Sequence, residues 1–161
     1  MKKETLTEVE KALAYAGASV VSGCMPCTRF HIKKCKSLGI PDKDIEDAII
    51  YSTEISASAL DNMKKYGLRQ LQSDLPPPGK AGIQKVEHDK MKVIVSLTAA
   101  YVSGNTHEFR NYLKSGREFD LTIDDLLTIT DIAWIIKDKG QEQLDKLFDK
   151  GDHETAISCC G

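Results

Sequence analysis

An all-α fold built from a duplicated helical unit is the class that this 161-residue sequence predicts, on three observations. Apolar residues recur at three- and four-residue spacing through most of the chain, the period of a helix buried on one side. No window alternates with period two for long enough to make a strand. Residues 18–45 also align without gaps on 99–126 at an offset of 81, with identities at Ala18/Ala99, Val21/Val102, Ser22/Ser103, Gly23/Gly104, Arg29/Arg110, Lys33/Lys114 and Asp44/Asp125. Seven of 28 positions match, against on the order of two by chance for ordinary composition. The similar pairs Ile32/Leu113, Ile40/Leu121 and Ile45/Leu126 fall at core-facing positions.

The first helix spans Thr7 to Val21, with Val9, Leu13, Ala16 and Val20 as its stripe. Thr7 and Glu10 form a capping box at its start, and Gly23 is placed to end it. A second helix begins near Cys24 and runs to about Ser37 before Gly39, with Pro26 in the first turn, where its missing N–H costs nothing. Pro41 and Asp42 open a long third helix through Ile45, Ile49, Ile50, Ile55, Ala59 and Met63 to about Tyr66. Residues 73–82, S-D-L-P-P-P-G-K-A-G, read as an extended connector. Helical patterns resume over Ile83–Val102, Thr106–Ser115, Thr122–Lys137 (with Thr122 and Asp125 as a second capping box) and Gln141–Phe148. The expected organisation is a single domain, 1–161, of two repeats: about 5–66, and about 83–148 without the first copy's cysteine pair. A flexible tail, 149–161, has too little apolar surface to order it.

The 22 basic and 24 acidic residues leave a net charge of −2, with no basic stripe to draw a phosphate backbone, so nucleic acid is not an expected partner. Glutamates interrupt the N-terminal segment where a signal peptide needs an apolar run, and no stretch reaches the length of a membrane span. The expected location is therefore cytoplasmic, without membrane association.

Five cysteines stand at positions 24, 27, 35, 159 and 160. In a reducing compartment a Cys-x-x-Cys is more often metal-binding or redox-active than a structural staple. At about 100° per residue, with Cys24 at zero, Cys27 falls at about 300°, His31 at about 340° and Cys35 at about 20°, so all four share a face. A helix start favours a thiolate at Cys24; Cys27 is placed to close or open a disulfide with it, and His31 can carry a proton near neutral pH. The second copy reads as well-capped helices although Asn105, Glu108 and Tyr112 replace Cys24, Cys27 and His31, which weakens a purely structural role for the pair. The alternative is a binding protein for a soft metal or metalloid ion, held by Cys24, Cys27 and the vicinal Cys159 and Cys160. Cys35 is expected to be a small buried hydrophobe.

The stretch A-S-V-V-S-G-C-M-P-C-T-R-F-H followed by L-G-I-P-D-K-D-I-E-D-A-I resembles the alkylhydroperoxidase D-like branch of the carboxymuconolactone decarboxylase family. The resemblance implies an all-helical thiol peroxidase or disulfide reductase. Cys27 would attack a peroxide or disulfide substrate, Cys24 would resolve the product as a disulfide, and an external dithiol would restore the pair. It implies a homo-oligomer, a trimer or hexamer, and requires neither cofactor nor metal. The family's glutamate, twelve residues before the first cysteine, is Ala12 here; Glu10 and Glu54 are the candidates to stand in as proton relay. Cys159 and Cys160 are candidate accessory thiols.

Overall fold

The structure is a computed structural model that describes residues 5–71 and 89–149. Six helices make up its regular structure: α1 (Glu8–Val21), α2 (Met25–Ser37), α3 (Asp42–Leu71), α4 (Lys90–Val102), α5 (Thr106–Glu118) and α6 (Ile123–Asp149). No strand occurs among the described residues. The two halves repeat in register: α2 and α5, and the first residues of α3 and α6, are each displaced by the offset of 81 read from the sequence. The turns match as well. Ser22 and Ser103 close α1 and α4, and Gly23 and Gly104 follow with φ of 70° and 67°, left-handed values that a side chain would disfavour.

α1 and α4 lie at the centre against each other, and each is flanked by both long helices, α3 and α6. α2 packs chiefly on α1, as α5 packs on α4. The central pair is buried nearly all round because its sequence allows it: Ala12, Leu13, Ala14, Ala16 and Ala18 on α1, and every residue from Val93 to Ala100 on α4. Small residues let the helices approach closely. A Cβ at Gly17 would fall on the Ser52 hydroxyl and crowd Ala48 O at 3.2 Å, so α3 crosses α1 where glycine leaves room. At the offset of 81 the positions of Gly17 and Ser52 are held by Thr98 on α4 and Ala133 on α6, both fully buried.

Asp125 ties the N-terminal segment to α6. Fully buried, it accepts from Thr5 N (2.6 Å) and Leu6 N (3.0 Å) on Oδ1, and from Thr5 Oγ1 (2.8 Å), Thr122 N (2.7 Å) and Thr122 Oγ1 (2.7 Å) on Oδ2. The expected Thr122/Asp125 capping box is present, with Asp125 N donating back to Thr122 Oγ1. Burial alone would raise the carboxyl, but the donors from Thr122 and Thr5 outweigh it and hold the pKa down at about 2.

Several boundaries differ from the sequence reading. α3 continues five residues past Tyr66 to Leu71, and α5 three past Ser115 to Glu118. The expected helices Thr122–Lys137 and Gln141–Phe148 are one, α6, which passes through Gly140 unbroken; one glycine costs about 1 kcal/mol in a helix interior, and 27 residues of continuous backbone bonding absorb it. Of the expected helix Ile83–Val102, residues 83–88 lie outside the described residues; α4 starts at Lys90, where the Asp89 carboxylate accepts from Lys92 N at 2.6 Å. Val9, Ile50 and Met63, placed on apolar stripes by spacing, are exposed. The connector 73–82 and the tail after Asp149 lie outside the described residues.

Candidate active site

The site is built where α1 turns into α2. After Ser22 and Gly23 the chain enters α2 through Cys24, an extended N-cap residue (φ −83°, ψ 94°) whose sulfur accepts from Cys27 N at 3.3 Å. Pro26 sits in the first turn, and Thr28 Oγ1 donates to Cys24 O at 3.0 Å. These bonds fix the N-terminal turn and bring the two cysteine Cα atoms to 5.3 Å; Cys24 and Cys27 are joined by a disulfide. Cys24 is only 4% exposed, whereas Cys27 is half-buried against Ala18, Val102, Ala133 and Ile136 of the core. The outer sulfur of the pair is therefore Cys27.

His31 lies one helical turn beyond Cys27 on the same face. Its ring stacks on Tyr15 of α1, centroids 4.8 Å apart and planes 5° from parallel, and meets Phe30 edge-on at 5.1 Å. Burial pushes the imidazole below its ordinary value, and among the described residues no carboxylate is paired with it. At neutral pH the ring is uncharged and can accept a proton. Tyr15 is held in its phenol form: burial, then the Asp131 carboxylate on α6, raise its pKa, with Lys11 acting in the opposite direction. Sequence spacing gave no sign of Tyr15. Its one trace is the duplication, which maps Tyr15 and His31 onto Ser96 and Tyr112, a pair also close enough for the Ser96 hydroxyl to lower the Tyr112 pKa against the upward push of burial.

The candidates for a proton relay lie elsewhere. Glu10 is taken up by the cap of α1, accepting from Thr7 N at 2.7 Å and pairing with Lys90 at 3.0 Å; it is about 7.5 Å of helix rise and about 140° of rotation from Tyr15. Glu54 is exposed on α3. Ala12 faces the core and its carbonyl accepts from the buried Cys35 thiol at 3.4 Å. Cys35 is thus the small buried hydrophobe its spacing suggested. Cys159 and Cys160 lie outside the described residues, and among the described residues no group of three His, Cys, Asp or Glu could hold a metal ion.

The second copy caps its helix without sulfur. Asn105, in the place of Cys24, accepts from Glu108 N at 3.2 Å and donates to Ile55 O (3.2 Å) and Ser58 Oγ (2.9 Å) on α3. The same helix start forms with an amide, so the turn does not require a thiol. Residues 1–61 match the carboxymuconolactone decarboxylase family. No curated protein and no solved structure matches the chain. The matched segment contains α1, α2, both cysteines and His31 and ends within α3, which bears out the family resemblance over the copy that carries the thiols.

Proposed function

We propose that the protein is a thiol peroxidase or disulfide reductase that cycles the Cys24–Cys27 pair between dithiol and disulfide. The observation that carries this reading is the arrangement itself: a buried and a half-exposed cysteine bonded at a helix N-terminus, one turn before an uncharged histidine. In the reduced pair the free N–H groups and dipole of α2 favour thiolate, and His31 accepts the proton that Cys27 gives up.

With a peroxide, the Cys27 thiolate forms an S–O bond as the O–O bond breaks. The leaving alkoxide takes a proton from the His31 imidazolium, and Cys27 becomes a sulfenic acid. The Cys24 thiol then displaces the sulfenic oxygen as water and the disulfide forms. An external dithiol reduces it by exchange, its own two thiols ending as a disulfide and both cysteines regaining their protons. Neither metal nor organic cofactor enters these steps. Glu10 and Glu54 are given no part, because the first is engaged in a cap and the second is exposed on α3.

The test is trapping in single variants. Cys24→Ser should leave a sulfenic acid or mixed disulfide on Cys27, detectable by mass after dimedone labelling. Cys27→Ser should abolish peroxide and disulfide turnover with a dithiol reductant. Activity retained in Cys27→Ser, with an adduct on Cys24, would reverse the roles, and a reduced pair inert to peroxides and to disulfides would overturn the reading.

A further inference from the structure

α2 bears Arg29, Lys33, Lys34 and Lys36 and no acidic residue, in a chain whose net charge is −2. The face of α2 opposite Cys27, about 140–240° around the helix from it, borders a groove of about 650 Å³. Its lining is apolar at Val20 from the end of α1, Met25 and Ile32, and cationic along a rim of the exposed Arg29, Lys33 and Lys36. Among the described residues the one carboxylate paired with this rim is Asp42, on Lys36 at 3.3 Å. Both partners are exposed, and such a pair is weak and readily exchanged. Arg29 and Lys33 line the groove, and among the described residues neither is paired with a carboxylate.

We propose that this groove binds an amphiphilic carboxylate, its alkyl chain lying on Val20, Met25 and Ile32 and its head held by Arg29 and Lys33. The apolar lining selects the chain, and the unbranched, exposed Met25 side chain can adapt to its length. The guanidinium fork of Arg29 suits a carboxylate, and Lys33, one turn on, adds a point charge. A second copy of the chain docked groove to groove would set two cationic rims against each other, which disfavours that occupant. Nucleic acid would find no aromatic ring in the lining on which to stack a base.

Binding of sodium decanoate and of decanol to the full-length oxidised protein, below micelle-forming concentration, tests this by calorimetry and by methyl chemical shifts of Val20, Met25 and Ile32. Decanoate should saturate one site, shift those three methyl sets and bind about tenfold tighter than decanol, since two surface cations near the head contribute roughly one decade. Arg29→Gln with Lys33→Gln should remove that decade and leave the far-UV circular dichroism unchanged. Equal affinity for decanol, no change in the double variant, dimerisation in place of saturation, or shifts spread over the surface without saturation would each overturn the assignment. Binding is read without turnover, so the outcome is independent of whether the protein reduces peroxides.

Discussion

Replacing Asp125 by Asn keeps the side-chain shape and removes the charge that five hydrogen bonds converge on. Three of the donors are backbone N–H groups, those of Thr5, Leu6 and Thr122, and an amide aimed at them would turn an NH₂ toward at least one. The lowering of the Asp125 pKa from 3.8 to about 2 corresponds to about 2 kcal/mol of ionised-state stabilisation at about 1.4 kcal/mol per unit. A buried donor left facing the new amide costs about 1–3 kcal/mol more. Asp125→Asn should therefore lose about 3–5 kcal/mol, a large share of the roughly 5–15 kcal/mol typical of a domain. The sign with pH follows from the depressed carboxyl. The contribution is complete above the unfolded value of 3.8 and is lost as pH falls toward about 2. Urea unfolding followed by far-UV circular dichroism at pH 7 and at pH 3, at one protein concentration, should show the gap between wild type and variant narrowing at the lower pH. The control is Asp44→Asn, the half-buried counterpart in the first copy, which should cost under about 0.5 kcal/mol, as surface changes do. A loss below about 0.5 kcal/mol in Asp125→Asn, or a gap that does not change with pH, would refute the reasoning.

His31 is pushed below its ordinary value by burial, so alkylation of Cys27 by iodoacetamide in the reduced protein should fall as pH drops through a point below 6.5, and His31→Gln should lose that inflection. Tyr15→Phe keeps the ring stacked on His31 and should preserve both rate and inflection; Tyr15→Leu admits water and should move the inflection up toward the ordinary histidine value, read by NMR titration of His31. Gly17→Ala places a methyl on the Ser52 hydroxyl and should cost about 1–3 kcal/mol in thermal or urea unfolding, with part recovered in Gly17→Ala/Ser52→Ala. Beyond Ile55 on α3 and Ile136 on α6, the helices expose Leu60, Met63, Leu68, Leu71, Leu144 and Leu147; such faces mark protein contacts, and light scattering should return a trimer or its multiple, whereas a 17.8 kDa monomer at micromolar concentration would exclude one.

The helices, their caps and the position of the thiols are local properties, and the sequence determined them. Thr7 with Glu10, Thr122 with Asp125, and Gly23 with Gly104 act within a few residues of themselves, and the face shared by Cys24, Cys27 and His31 follows from 100° per residue on one helix. The offset of 81 even made the second copy's sulfur-free cap legible before Asn105 was seen to hold it. What lies between helices was not legible. That Tyr15 stacks on His31, that Glu10 is drawn to Lys90 across 80 positions, and that Asp125 reaches back 120 to Thr5 depend on how α1, α4 and α6 pack, and spacing along one element carries no information about rotation against another. Nor could spacing decide which cysteine is the outer one. Only the core that closes over Cys24, and the α4 and α6 surface that half covers Cys27, set that difference, because exposure belongs to the assembled surface and not to the residue.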